Sequence, residues 1–163
     1  MHQVSASLDV VVVHATSSLL PGLAELFGDY RRHYGRPDDG DRSRAWLRDQ
    51  LGGGALRGYL ARRGGEPAGM ALVASTAASQ RLGHFWQLRD LYVAERHRRE
   101  GVGQALVAHV RDAAGADGAL RVSLTTEADN VPALALYGDL GFEPVHGYVT
   151  LSLDTERRPP QQS

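Results

Sequence analysis

Residues 88–103 read Leu-Arg-Asp-Leu-Tyr-Val-Ala-Glu-Arg-His-Arg-Arg-Glu-Gly-Val-Gly, a strand-like run that feeds an Arg-rich turn and then a Gly-x-Gly. Gly101 and Gly103 have no Cβ, so the backbone there can turn tightly and bring its N–H groups close to a ligand's oxygens. Val102, Ala105, Leu106, Val110 and Ala113 follow at helical spacing. The glycines therefore open a helix, where unpaired N–H donors and the helix dipole favour an anion. Arg98 and Arg99 add two permanent cations beside that site. Phosphate is the predicted guest.

Several phosphate-binding classes drop out. A dinucleotide fingerprint wants a third glycine three residues after Gly103, and this chain has Leu106. A Walker A loop, a Schiff base and a protein kinase each need a lysine, and the chain has none. What survives is Arg98-x-x-Gly101-x-Gly103. Here the chain resembles the GNAT superfamily of N-acetyltransferases, whose Q/R-x-x-G-x-G/A loop holds the pyrophosphate of acetyl-coenzyme A.

Two flanking segments extend the resemblance. Asp90-Leu91-Tyr92-Val93 looks like the family's fourth strand. The stretch from Asn130 to Phe142, NVPALALYGDLGF, matches the N-x-x-A-x-x-L-Y-x-x-L-G-F signature at every fixed position. Upstream, Tyr30 to Pro37 resembles the Y-R-x-F-Y-G-x-P stretch of one subgroup, with His33 in place of the usual aromatic. The resemblance thus covers nearly the whole chain.

It implies the following site. Arg98, Arg99, Glu100, Gly101, Val102, Gly103 and Gln104 hold the coenzyme's phosphates, and the backbone of Leu91, Tyr92 and Val93 accepts its pantetheine arm as an extra strand would. Asn130 reads from the sequence as a helix N-cap, and the resemblance adds contact with the coenzyme arm. Tyr137 lies on the stripe Ala133, Leu136, Tyr137, Leu140, which by periodicity alone reads as core packing. The resemblance implies instead a tyrosine that touches the coenzyme and donates a proton to the departing thiolate.

An amine acceptor with a pKa near ~10 must lose a proton before it attacks a thioester. Asp90 is the candidate base, because the resembling segment of diamine-type acetyltransferases carries an acid there; a water chain is the alternative. Tyr30, His33, Tyr34 and Trp86 are the candidate acceptor-pocket residues by resemblance, against the usual fate of aromatics as core.

Composition sets outer limits. A chain of 163 residues suits one compact domain, here residues 8–155, with residues 1–7 and 156–163 as frayed ends. A net charge of −1 supplies no general reason to expect nucleic acid or a membrane surface as partner. The absence of cysteine excludes disulfides, thiolate metal sites and a covalent thioester relay through the enzyme, so acyl transfer would be direct. Seven scattered histidines show no metal spacing, and His97 reads as solvated. The apolar run Leu8 to Val13 is too short to span a membrane or act as a signal peptide, which makes a cytoplasmic location the expectation.

Patterning predicts a first strand over Leu8 to His14, a helix with Leu20, Leu23, Leu26, Phe27 and Tyr30 on one stripe, and a second helix over Asp41 to Leu51. A hairpin then joins Gly58–Arg62 to Ala68–Thr76, and a strand covers His84 to Val93. After the helix from Gly101 come a strand over Leu120 to Thr126, a helix from Asn130 to Gly141 and a last strand over Tyr148 to Leu153. This order fits an α+β fold. The resemblance sharpens it to the GNAT fold, a mixed and largely antiparallel sheet with a splayed fourth and fifth strand pair and about four helices. The predicted activity is transfer of an acetyl group from acetyl-CoA to a primary amine of a small molecule or peptide in a ternary complex, with no metal; a homodimer is left open. The alternative is a non-catalytic acyl-CoA sensor on the same fold, which would bind coenzyme and release no free thiol.

Overall fold

A computed structural model describes residues 6–37 and 39–156. Strand β1 (Leu8–Val13) leads into helices α1 (Leu20–His33) and α2 (Gly40–Gly52), and then come β2 (Arg57–Arg63), β3 (Glu66–Ala78) and β4 (Gly83–Val93). Helix α3 (Val102–Ala116), β5 (Val122–Leu124) and α4 (Val131–Asp139) complete the order. The five strands lie side by side in chain order, antiparallel from β1 to β4, with β5 parallel to β4. The result is the expected α+β arrangement, a mixed sheet flanked by four helices. Among the described residues no helix is long and apolar enough to cross a membrane.

Side chains alternate across a strand, so β2 and β3 each feed two cores. Tyr59, Ala61, Ala71 and Val73 pack with Val102, Leu106, Val107 and Val110 of α3. Leu60, Met70 and Leu72 face the other way, against Leu20, Leu23 and Phe27 of α1 and Leu47 of α2. Covered on both faces, these strands are continuously apolar, which is why they lack a polar alternation.

In β4 the alternation is interrupted. Leu72 pairs with Asp90 and Val73 with Leu88, which leaves Arg89 as an extra residue and makes a bulge. Before it, Trp86 and Leu88 face the α3 core; after it, Leu91 and Val93 do, while Tyr92 packs against the α1 core. The parallel ladder to β5 runs only over Trp86–Leu88 and Val122–Leu124. It ends at the bulge, so the two strands part beyond Leu88. This is the splay expected of the fourth and fifth strands.

Three expectations need adjustment. β5 has three residues rather than the seven from Leu120 to Thr126, because its only ladder is the short stretch before the bulge. Glu66 and Pro67 belong to β3, so the hairpin turns on Gly64 and Gly65 alone. Tyr148 to Leu153 forms no strand; Tyr148 and Leu151 are 84% and 88% exposed. Its alternation suits a pleated strand, but a pattern becomes a strand only where a sheet edge accepts it. The expected fraying of residues 1–7 and 156–163 falls mostly outside the described residues.

Gly69 is where β3 meets α3 most closely. A Cβ there would stand 2.8 Å from Val102 Cγ1, 3.0 Å from Leu106 Cδ1 and 3.0 Å from the Tyr92 carbonyl oxygen. Gly69→Ala must therefore move the first turn of α3 off the sheet, and we expect a loss of about 1–3 kcal/mol, the usual cost of overpacking. Urea unfolding checks it; an unchanged midpoint would show that α3 can move without cost.

Candidate functional site

The Arg-rich turn is folded by its own glycine and pinned by its neighbours. Arg99 and Gly101 both have positive φ, 64° and 79°. The second suits glycine, while the first holds a non-glycine residue in a left-handed conformation that costs of order 1 kcal/mol or more. Gly101 is the N-cap of α3, and no side chain caps that end, so the amides of the first turn have no intrahelical partner. Two left-handed residues beside a helix start make a concave row of N–H groups, a shape that takes an anion. A Cβ on Gly101 would touch nothing within 4 Å, so the concavity is open.

Charge is arranged to match. Arg98 donates from Nε to the Val93 carbonyl at 3.3 Å, and its guanidinium lies 5.9 Å from the centre of the Tyr92 ring. Glu100 is the one acid between Arg98 and Gly103, and its carboxylate is drawn to Arg63 Nε at 3.1 Å and His97 Nδ1 at 3.2 Å. Arg63 of β2 thus anchors the loop and neutralises its only acid. Sequence reading missed this contact, since the partners are far apart in the chain; His97, expected to be solvated, makes its exposed contact with Glu100.

From this turn a groove of about 650 Å³ runs along Leu91, Tyr92 and Val93 on one side and Asn130, Ala133 and Leu136 on the other. It continues into a cleft of about 480 Å³ between the parted strands, lined by Asp90, Leu91, Leu124, Glu127 and Tyr137. Asn130 caps α4 by accepting from Ala133 N at 3.3 Å, and it also lines both cavities. Tyr137 sits in the cleft with its ring 5.7 Å from that of Phe142. Every predicted coenzyme residue except Glu100 therefore lies along one continuous channel.

The acceptor candidates divide. Tyr30 and Tyr34 line the cleft, with ring centres 5.0 Å apart. His33 packs on Tyr34 at 5.2 Å but borders the groove toward Arg98. Trp86 is not at the cleft: it is 1% exposed in the α3 core, its Nε1 donates to Asp117 at 3.0 Å, and Arg57 lies over its ring at 4.5 Å. The bulge at Arg89 reverses the facing of β4, and so Trp86 and Asp90 lie on opposite faces.

Burial controls the protonation of this cleft. The Asp90 carboxyl is pushed above its ordinary range by desolvation, partly offset by a hydrogen bond from Tyr30 and by the charge of Arg89. The Tyr137 phenol is pushed up by burial, then by Tyr34 and Glu127. Tyr30 and Tyr34 rise as well, chiefly by burial. The cleft therefore keeps its phenols protonated beside a carboxylate that is more basic than usual. Glu127, exposed in the loop after β5, was not singled out by sequence; it carries no motif of its own.

Comparison with known proteins agrees with this geometry. Residues 20–142 match the Acetyltransferase (GNAT) family. The chain is 31% identical over 140 residues to an uncharacterised N-acetyltransferase, YhfO, of Bacillus subtilis (strain 168), covering 86% of this chain and 94% of that protein. It is 30% identical over 111 residues to the thialysine N-epsilon-acetyltransferase of Caenorhabditis elegans, with 66% and 69% covered. The crystal structure of a probable acetyltransferase superposes with a TM-score of 0.84 at 29% identity, covering 92% of this chain and 99% of that one.

The raised Asp90 pKa has a consequence for stability. The unfolded carboxyl ionises near pH ~3.9. The folded protein holds that proton to higher pH, so the unfolded state binds fewer protons in between. Stability thus falls as pH rises through that window and stays lower above it. Asp90→Asn removes the titration while keeping an acceptor for Tyr30. Thermal unfolding should show the variant melting higher than the parent at pH 7, with the difference shrinking toward pH 4; a lower melting point at pH 7 would contradict it.

Proposed function

The chain belongs to the Acetyltransferase (GNAT) family as an N-acetyltransferase, and from that premise we propose that it moves an acetyl group from acetyl-CoA directly to a primary amine. The observation that carries the reading is the continuous channel from the anion-binding turn at Arg98–Gly103, past the unladdered edge of β4, to Asp90 and Tyr137. Residues 8–155 act as one catalytic domain.

The residues fit the coenzyme. The open turn at Gly101, the uncapped start of α3, Arg98 and Arg99 match a pyrophosphate, while Glu100 is held aside by Arg63. Past the bulge, β4 has no ladder toward β5, so the backbone of Leu91 to Val93 offers strand-type hydrogen bonds to an extended amide-bearing arm. Acetyl-CoA supplies the activated thioester carbonyl.

The protein's own groups then manage protons and charge. Asp90 accepts the proton that the incoming ammonium must lose, and its raised pKa makes it a better base than a solvated carboxylate. Backbone N–H groups left without a ladder at the parted strand would donate to the carbonyl oxygen, where negative charge develops. Tyr137 stays a neutral phenol and donates its hydrogen bond to the departing sulfur. With no cysteine in the chain, the acetyl group passes from donor to acceptor in one ternary complex.

Tyr137→Phe keeps the ring and its packing on Phe142 but removes the donor. We expect kcat to fall about 100-fold, the low end of what general acid–base groups supply, with little change in acetyl-CoA affinity; unchanged kcat in a thiol-release assay would take Tyr137 out of the mechanism. Arg98→Ala combined with Gly101→Asp puts a carboxylate where phosphate sits. Calorimetric titration with acetyl-CoA should lose the binding signal, and unaltered affinity would place the phosphates elsewhere.

A further inference from the structure

A third cavity, of about 570 Å³, borders Asp90 between the end of α1, α2 and the bulge of β4. It shares Tyr30, Tyr34, Arg89 and Asp90 with the catalytic cleft, so whatever fills it reaches the reacting centre. Its walls are aromatic. Trp46, 46% exposed, stacks on Phe27 with ring centres 5.6 Å apart.

Its charge is the informative part. Asp90 is the only carboxylate among the described residues that line it, against the guanidiniums of Arg31, Arg36 and Arg89. Arg31 is neutralised by Asp39. Arg36 and Arg89 have no salt bridge among the described residues, although Arg89 is close enough to lower the pKa of Asp90. Both are placed by backbone features. Gly35, at φ 71°, ends α1 with Arg36 N bonded to Arg31 O at 2.9 Å and Gly35 N to Arg32 O at 2.9 Å, which folds Arg36 back over the last turn. Arg89 is the extra residue of the bulge.

A polyamine or an aminoglycoside would bring several ammonium groups to a cavity whose described lining has one carboxylate and three guanidiniums, only one of them, Arg31, in a salt bridge. A molecule with one amine and one carboxylate fits that balance, with its amine at Asp90, its carboxylate taken by guanidinium forks and its apolar stem against the rings. We propose that the acceptor is an amino acid, held by its carboxylate at Arg36 and Arg89 while its primary amine is presented to Asp90. This rests on the acetyl-transfer reading of the same cleft, and it narrows that reading to one substrate class.

The test uses matched pairs that differ only by the carboxylate: lysine against cadaverine, and phenylalanine against phenethylamine. Each compound is titrated calorimetrically into the 163-residue protein saturated with coenzyme A, and is then assayed for thiol release with acetyl-CoA. In at least one pair, the amino acid should bind and turn over at least 10-fold better than its decarboxylated partner. Arg36→Gln should raise KM for that amino acid about 10-fold, leaving kcat, the melting temperature and the weak activity on the matched amine in place; Arg89→Gln should raise the same KM more than that of the matched amine, and it also shifts kcat because its charge acts on Asp90. Equal or tighter binding of the amines, binding of neither member of any pair, or equal losses on both members in the arginine variants would overturn the proposal. Acetyl-CoA titrated alone separates the two readings: failure of the coenzyme to bind sinks acetyl transfer at this cleft, whereas coenzyme binding with a preference for the plain amines sinks only the amino-acid acceptor.

Discussion

The register slip at Arg89 does three things with one residue. It ends the β4–β5 ladder after Leu88, so a cleft opens between two strands that are hydrogen-bonded only a few residues earlier. It reverses which β4 side chains face α3, keeping Trp86 and Leu88 in that core while placing Leu91 and Val93 there after it. The same reversal turns Asp90 toward Tyr30 of α1. A bulge costs one ladder position and a local bend, and here the position surrendered is the one that makes room for a ligand.

Rigid packing on either side of the slip turns this opening into a site. On the α3 face, Gly69 lets Val102 and Leu106 come against β3, which fixes the first turn of α3 beside the end of β4. On the α1 face, Leu23, Phe27 and their neighbours seat the helix on Leu60, Met70 and Leu72. The last turn of α1 and the capping residue after it then carry Tyr30 and Tyr34 to the cleft. Helix and sheet supply the precision, while the loop at Arg98–Gly103 supplies unpaired amides that regular structure would have consumed.

Electrostatics in the cleft follow from burial more than from pairing. Desolvation is the leading cause of the upward shift for Asp90, Tyr30, Tyr34 and Tyr137 alike. A half-buried carboxylate that is not fully paired reduces stability, and sites that do chemistry commonly carry such a cost. The turn at Arg98 follows the opposite logic. Its acid, Glu100, is paired off by Arg63 and His97, which leaves the positive field of the loop facing outward.

The local parts of this protein were legible in its sequence. Glycines mark where α3 starts and where α4 ends, apolar stripes mark the helix faces, and the chain from Asp90 to Phe142 carries enough motif to name the fold and the coenzyme turn. These are signals between residues near one another in the chain, where spacing alone decides geometry. Tertiary structure decided the rest. Unbroken alternation along β4 would put Trp86 with Asp90 and Tyr92, but the slip against β3 sends Trp86 to the opposite core. The tail at Tyr148–Leu153 has the pattern of a strand and no ladder. Arg63 anchors a loop more than 30 residues away, and Arg36 and Arg89 meet across two elements around one cavity. A register, a sheet edge and a charge balance between distant residues exist only once the strands are aligned, because each depends on which backbone groups find partners across space.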